Sequence, residues 1–193
     1  MQKLATARDL QARLTAIVDT VTREFGPLPA EQLRYKPAPD RWSILECLQH
    51  LNLAERSYVR NLQHKVDRLG LVQTNPTDQE LDGDWLGRSM RWMVDPRTRV
   101  KIPTVGMLRP RRPDALDPAS VIDQFLELQT LLRGLLDKAV YLDWNREKLI
   151  SPFANWLKFR LADALPMLVA HSERHLAQAM RVKAEMATFV PKT

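Results

Sequence analysis

Apolar residues recur along the chain at helical spacing in four long stretches, and between those stretches the pattern fades. Leu4, Ala7, Leu14, Val18, Val21 and Phe25 predict a first helix over about residues 4–25, ended by Gly26-Pro27. A short helical turn is expected at Ala30–Leu33, and "KPAPDRWS" is a proline-punctuated connection. The second helix has a marked start: Ser43 is an N-cap residue and Glu46, three positions on, completes a capping box. Trp42, just before the cap, is expected to pack on Cys47 as a hydrophobic staple. Ile44, Leu48, Leu51, Glu55, Tyr58 and Leu62 continue one face of this helix, and Gly70 closes it.

Residues 71–116 show no long period and hold several prolines with Trp85 and Trp92. A connection of that length is unusual in a compact domain. It is long enough to carry the chain from one end of a bundle to the other, so the next helix need not run antiparallel to the second. Asp117-Pro118 is an N-cap followed by proline at the first helical position. Val121, Phe125, Leu128, Leu132, Leu135 and Ala139 mark the third helix. An irregular connection over Tyr141–Phe159 leads to a fourth helix from about Leu161 to Met186, with Pro166 near its start. No strand pattern competes. The prediction is all-α: one domain spanning residues 1–193, a four-helix bundle with a long crossover loop between helices 2 and 3.

The fourth helix raises a question of chemistry. Ala164, Met167, Leu168, His171, His175, Gln178, Val182 and Met186 fall on one side, so "LVAHSERHLAQ" sets two imidazoles one turn apart inside an apolar stripe. Histidines at i and i+4 are one way for a helix to hold a metal ion. The pair alone also fits hydrogen-bonded core histidines, or a pH-sensitive partner of Glu173 or Arg174. His50 adds a third imidazole. It lies at the edge of the second helix's core face beside the small residues Ser43, Cys47, Ala54 and Ser57, which leave room. Three neutral imidazoles suit a divalent first-row metal and leave at least one open coordination position. His64 has no such company and is expected at the surface.

Around this trio the other candidates separate by position. Glu46 points about 140° away from the core direction, which favours its capping role over that of a base. Arg174 flanks the histidines and is a candidate to orient an anionic substrate, or to form a salt bridge at the bundle edge. Gln178, one turn past His175, is a candidate hydrogen-bond partner for it. Cys47 stands three residues before His50; coordination by its thiolate would close the site, but it is expected to be a core residue. Trp85, Trp92, Trp144 and Trp156 are expected to cover the bundle ends.

Composition narrows the class further. With 45% apolar and 27% charged residues the chain has the balance of a globular protein, and it lacks the ~20 uninterrupted apolar residues of a membrane helix. The N-terminus has no signal-peptide core and the single cysteine excludes an internal disulfide, so a cytoplasmic location is expected. The formal charge is +6, and it is unevenly placed. Between Trp85 and Pro113 eight cations face one acid, Asp95, which suggests an anionic partner or a solvated loop. Because prolines break up these arginines, tight nucleic-acid binding is not expected. A homodimer is allowed but not required.

"WSILECLQHLNLAER" followed much later by "HSERHLAQAMRV" resembles the DinB-like family of bacterial four-helix-bundle proteins. The family pattern matches at Trp42, Ser43, His50, Leu51, His171, His175, Leu176 and Gln178. "KIPTVGMLRP" is also similar to an extended segment before the third helix in one branch. The resemblance implies His50, His171 and His175 as ligands of a divalent metal, most often zinc or nickel. Characterised members of the family include transferases that use a low-molecular-weight thiol and a thiol-dependent isomerase. With the site's chemistry, the expectation is a metal-dependent enzyme acting on a small molecule, a thiol-dependent S-transferase or a hydrolase. The alternative is a non-catalytic metal-binding stress-response module.

Overall fold

A computed structural model describes residues 1–69, 76–98, 104, 106–152 and 154–188. Six α-helices stand among them: α1 (Lys3–Glu24), α2 (Ala30–Arg34), α3 (Ile44–Leu69), α4 (Trp85–Val94), α5 (Pro118–Ala139) and α6 (Leu161–Thr188). The four long ones, α1, α3, α5 and α6, form a four-helix bundle. α3 packs on both α5 and α6, and α1 packs on the same two. Their apolar stripes meet in one core that includes Leu10, Leu14, Leu48, Leu51, Phe125, Leu132, Leu165 and Leu168.

Side-chain bonds between the helices give their directions. Asn52 Nδ2 donates to the Val121 carbonyl and Gln129 Nε2 to Glu55, so α3 and α5 advance together and run parallel. Arg41 pairs with Glu185 while Ser172 meets Glu55, so α6 runs against α3. Arg13 pairs with Glu173 and Lys183 with Glu24, so α1 runs with α6. Two consecutive long helices therefore point the same way, and the long connection between α3 and α5 is the crossover that parallel neighbours require.

The predicted starts of α3 and α5 are present in detail. The Ser43 amide donates to Glu46 Oε2 (2.8 Å) and the Glu46 amide to Ser43 Oγ (3.1 Å), a reciprocal capping box. The Ser120 amide donates to Asp117 Oδ2 (3.0 Å), with Pro118 at the first helical position. The Gly70 terminator, part of the basic segment (Arg99 and Lys101), most of "KIPTV" and Phe153 lie outside the described residues. α6 begins at Leu161 as predicted; Pro166 is its sixth residue, just past the first turn, so no amide reaches back to the Ala162 carbonyl.

Two elements correct the sequence prediction. The first is an antiparallel hairpin, β1 (Lys148–Ser151) with β2 (Ala154–Arg160), in the stretch expected to be irregular. It pairs Leu149 with Phe159, both buried, against α3 and α6. Four residues of alternation in β1, and a register shift after Ile150, are too little pattern to read as strands.

The second is α4, ten residues with a glycine at its third position. Ten residues are too few for a stable isolated helix, and glycine is a weak helix former. Docking on α6 explains both the helix and the glycine. The Asp84 side chain caps it, accepting from the Gly87 amide (2.7 Å), while the Asp84 amide donates to Asp163 Oδ2 (3.1 Å) at the start of α6. A Cβ at Gly83 would stand 2.5 Å from Asp163 Oδ1, and one at Gly87 would fall inside the Asp163 carboxyl group. Gly87→Ala is therefore expected to push α4 off α6 at a cost of about 1–3 kcal/mol. Limited proteolysis should speed up within residues 76–98 while the bundle helices stay protected; an unchanged cleavage rate would contradict the contact.

The tryptophans divide in the same way. Trp144 is buried as expected, its Nε1–H donating to the Ala139 carbonyl (2.8 Å). Trp85, Trp92 and Trp156 are 72%, 60% and 83% exposed, so they do not cover the bundle ends. Trp85 and Trp92 lie seven residues apart on the outer face of α4, away from α6. No helix among the described residues is long and apolar enough to cross a membrane.

Candidate metal centre

The bundle brings His50, His171 and His175 together at the α3–α6 interface. One ring nitrogen from each lies within 4.8 Å of the other two. The ring centroids are 5.2 Å apart for His50–His171, 4.5 Å for His50–His175 and 4.7 Å for His171–His175. The capping box fixes where α3 begins and so where His50, two turns on, enters the interface. The i, i+4 spacing on α6 supplies the other two.

The tautomers follow from the partners. The Leu108 carbonyl can only accept, so His50 Nδ1 carries the proton and donates to it (2.7 Å). His175 Nδ1–H donates to Gln178 Oε1 (3.0 Å). In both rings the lone pair is then on Nε2. His50 Nε2 stands 3.3 Å from His171 Nε2. Nitrogens bound at 2.0–2.1 Å in a tetrahedral shell are about 3.3 Å from each other, so this separation already matches one edge of such a shell.

The surroundings keep the imidazoles neutral. Burial lowers the pKa of His50, against the Leu108 hydrogen bond that favours the proton. Burial, then the neighbouring His175, His50 and Arg174, holds His171 well below the ordinary histidine value. Burial followed by His50 pulls His175 down to about 3. An uncharged imidazole is the form that binds a metal.

Other candidates take their places around the trio. Cys47 is fully buried and outside the group of nitrogens; burial, with Glu46 beside it, pushes its thiol well above the usual range. Glu46 is engaged by the Ser43 amide and by Lys36 (3.3 Å). Glu173 is held by Arg13 through two bonds of 2.8 Å, so its charge is directed to α1 rather than to a histidine. Arg174 Nη1 donates to the carbonyls of Met93 (3.2 Å), Asp95 (3.1 Å) and Thr98 (2.6 Å), which ties the end of α4 to α6. His64 is exposed.

Three features of the centre were not foreseen. The carbonyl that orients His50 comes from Leu108, in a 3-10 turn (Gly106–Leu108) packed on α3; a backbone group leaves no mark in sequence. Trp42, expected only to staple the start of α3, lies over the trio, its ring 4.9 Å from His50 and stacked 5.6 Å from His175. Behind His171, Ser172 meets the buried Glu55, which Gln129 also contacts. Here a signal existed: an acid on the apolar stripe of α3.

The sequence matches the DinB superfamily over residues 5–179. No curated protein matches it closely enough to lend an activity. Among solved structures, the fold is similar to that of YfiT from Bacillus subtilis, with a TM-score of 0.53 and 15% identity over 94% of this chain and 87% of that one. YfiT is described as "a probable metal-dependent hydrolase with an unusual four-helix bundle topology", and at this identity the likeness shows the fold alone. The family match covers nearly the whole bundle, from the first turn of α1 to the turn of α6 beyond His175, and the chain belongs to the DinB superfamily.

Proposed function

We propose that His50, His171 and His175 hold one divalent ion, zinc or nickel, through their Nε2 atoms, and that the chain is a metal-dependent hydrolase of a small molecule. The observation that carries this reading is the gathering of three neutral imidazoles, two of them with Nδ1–H already bound by protein acceptors. Such pinning sets the lone pairs toward one point before any ion arrives. The donor set suits zinc or nickel, and three protein ligands leave a coordination position open, as catalytic sites do. When bound, the ion supplies Lewis acidity and lowers the pKa of a coordinated water or thiol toward neutrality.

The chain's own contribution is orientation. Leu108 and Gln178 fix two rings, the Trp42 indole covers one side, and Arg174 keeps α4 docked beside the centre. Among the described residues no carboxylate joins the three nitrogens, so no acidic side chain stands ready to fill the open coordination position. Hydrolysis is also the activity that YfiT's description carries. The test is a panel of small ester, amide and amidine substrates offered to the zinc- and nickel-loaded protein, with and without a low-molecular-weight thiol. Turnover that His175→Ala abolishes supports the proposal. Turnover that requires the thiol would move the reading to S-transfer, and no turnover with a fully loaded protein would favour the non-catalytic module.

Cys47 supplies a separate check. A thiolate ligand would make the shell four-coordinate and closed. Cys47→Ser is expected to leave metal affinity unchanged, and the cobalt-substituted parent should show no thiolate-to-metal charge-transfer band. Such a band, lost in the variant, would remove the open position on which hydrolysis depends.

A further inference from the structure

A polar cavity lies away from the imidazoles, between α3 and the start of α5. It has a volume of about 410 Å³, within the range of small-molecule sites, and Arg56, Arg109, Arg111, Gln49, Ser120 and Gln124 line it. Arg56 comes from α3; Arg109 and Arg111 come from the segment that crosses to α5. Arg56 Nη2 makes one long contact, 3.4 Å to Gln124 Oε1. Among the described residues the Arg109 and Arg111 guanidinium groups have neither hydrogen-bond nor ion-pair partner. The cavity wall offers one carboxylate, Asp117, whose Oδ2 already accepts the Ser120 amide.

Three guanidinium groups around one cleft repel each other, and a loose loop would let them spread. This segment is fastened at both ends. The Leu108 side chain is buried and its carbonyl accepts from His50 (2.7 Å). At the other end Arg34 donates to the carbonyls of Pro113 (3.1 Å) and Leu116 (2.8 Å). Arg109 and Arg111 therefore project from a strap held at each side. Asn52, buried in the cavity wall, has an Oδ1 with no partner although its Nδ2 is satisfied by Val121.

We infer that this cleft binds the phosphate group of a small molecule through Arg56, Arg109 and Arg111. The planar guanidinium fork matches an oxyanion through paired charge-assisted hydrogen bonds. A phosphate carries nearly two negative charges and three strong acceptor oxygens, so forks reaching it from two elements can each find a partner. A carboxylate has two oxygens and one charge, and leaves a guanidinium unserved. The Asn52 acceptor suits a hydroxyl on the group that bears the phosphate. The site is independent of the metal reading, since none of its residues is a histidine of the trio.

The test is calorimetric titration of the full chain, metal-loaded and freed of excess ion, with inorganic phosphate. Malonate and a short DNA duplex serve as competitors of different shape. Saturable phosphate binding is expected. It should weaken about tenfold or more for each arginine removed in Arg109→Ala and Arg111→Ala, while His175→Ala and Arg112→Ala leave it unchanged. Arg112 is exposed on the same strap but does not line the cleft. Equal loss in Arg112→Ala would reduce the effect to diffuse charge. Loss confined to His175→Ala would put the anion on the metal. Equal malonate affinity would replace phosphate by carboxylate, and a steeply salt-dependent DNA complex through the same arginines would make the surface a nucleic-acid one; each of these overturns the inference.

Discussion

Replacing either His171 or His175 with alanine is expected to take the metal content from one ion per chain toward none. Each removal leaves two nitrogens, and the remaining rings still donate from Nδ1 to Leu108 or Gln178, so no other side chain is positioned to fill the gap. The fold should survive. The trio sits at one interface of a core built from dozens of apolar residues over all four long helices, and the histidines are neutral without a metal. Circular dichroism of both variants should therefore match the parent while metal analysis does not. Gln178→Ala keeps all three ligands and frees only the His175 ring; loss of such a supporting partner typically lowers metal affinity about 10–100-fold. Unchanged stoichiometry in both histidine variants would sink the three-histidine assignment. Unfolding on chelation would mark a structural site in place of a catalytic one.

The second large effect is on stability against pH, and it comes from Glu55. This side chain is buried among α3, α5 and α6, and burial raises its pKa to about 7 against the opposing hydrogen bonds from Ser172 and Gln129. The geometry agrees with a protonated acid. Ser172 Oγ contacts both Glu55 Oε1 and the Leu168 carbonyl (3.0 Å). A hydroxyl has one proton and the carbonyl can only accept, so both contacts are satisfied when the carboxyl supplies the second proton. Between the ordinary glutamate value, about 4.3, and 7 the folded chain binds more protons here than the unfolded chain, so stability falls as pH rises. The contribution is fully present below the unfolded pKa and is lost through the folded one, a swing of roughly 3–4 kcal/mol at 1.36 kcal/mol per unit. Glu55→Gln mimics the neutral acid and keeps both contacts. It should be markedly more stable than the parent at pH 8 and close to it at pH 4.5, as read by urea denaturation at each pH. A constant difference across that range would show that Glu55 does not titrate in the window.

The bundle was legible because its evidence is local and repeated. Each long helix carries several turns of apolar stripe, and Ser43/Glu46 and Asp117-Pro118 announce two starts through side chains that bond their own backbone. The histidines were legible for the same reason: helical spacing alone puts His171 and His175 on one face, and His50 on the core edge of its helix. What depends on partners far away in sequence was hidden. α4 is a helix because Gly83 and Gly87 let it close on Asp163, some 80 positions later. The exposure of Trp85 and Trp92 follows from that docking, since the α4 face they occupy turns away from α6. β1 and β2 stabilise each other as a pair and have too short a pattern to show individually. The carbonyl of Leu108 and the strap that presents Arg109 and Arg111 rest on backbone bonds to His50 and Arg34, which no residue type encodes.

X-ray absorption at the metal edge of the zinc- or nickel-loaded full chain tests the central claim most directly. The account predicts a first shell of three imidazole nitrogens at about 2.0–2.1 Å, completed by exchangeable oxygen and free of sulfur, with one imidazole lost in His175→Ala. A sulfur scatterer near 2.3 Å, or a shell that His175→Ala leaves unchanged, would contradict it.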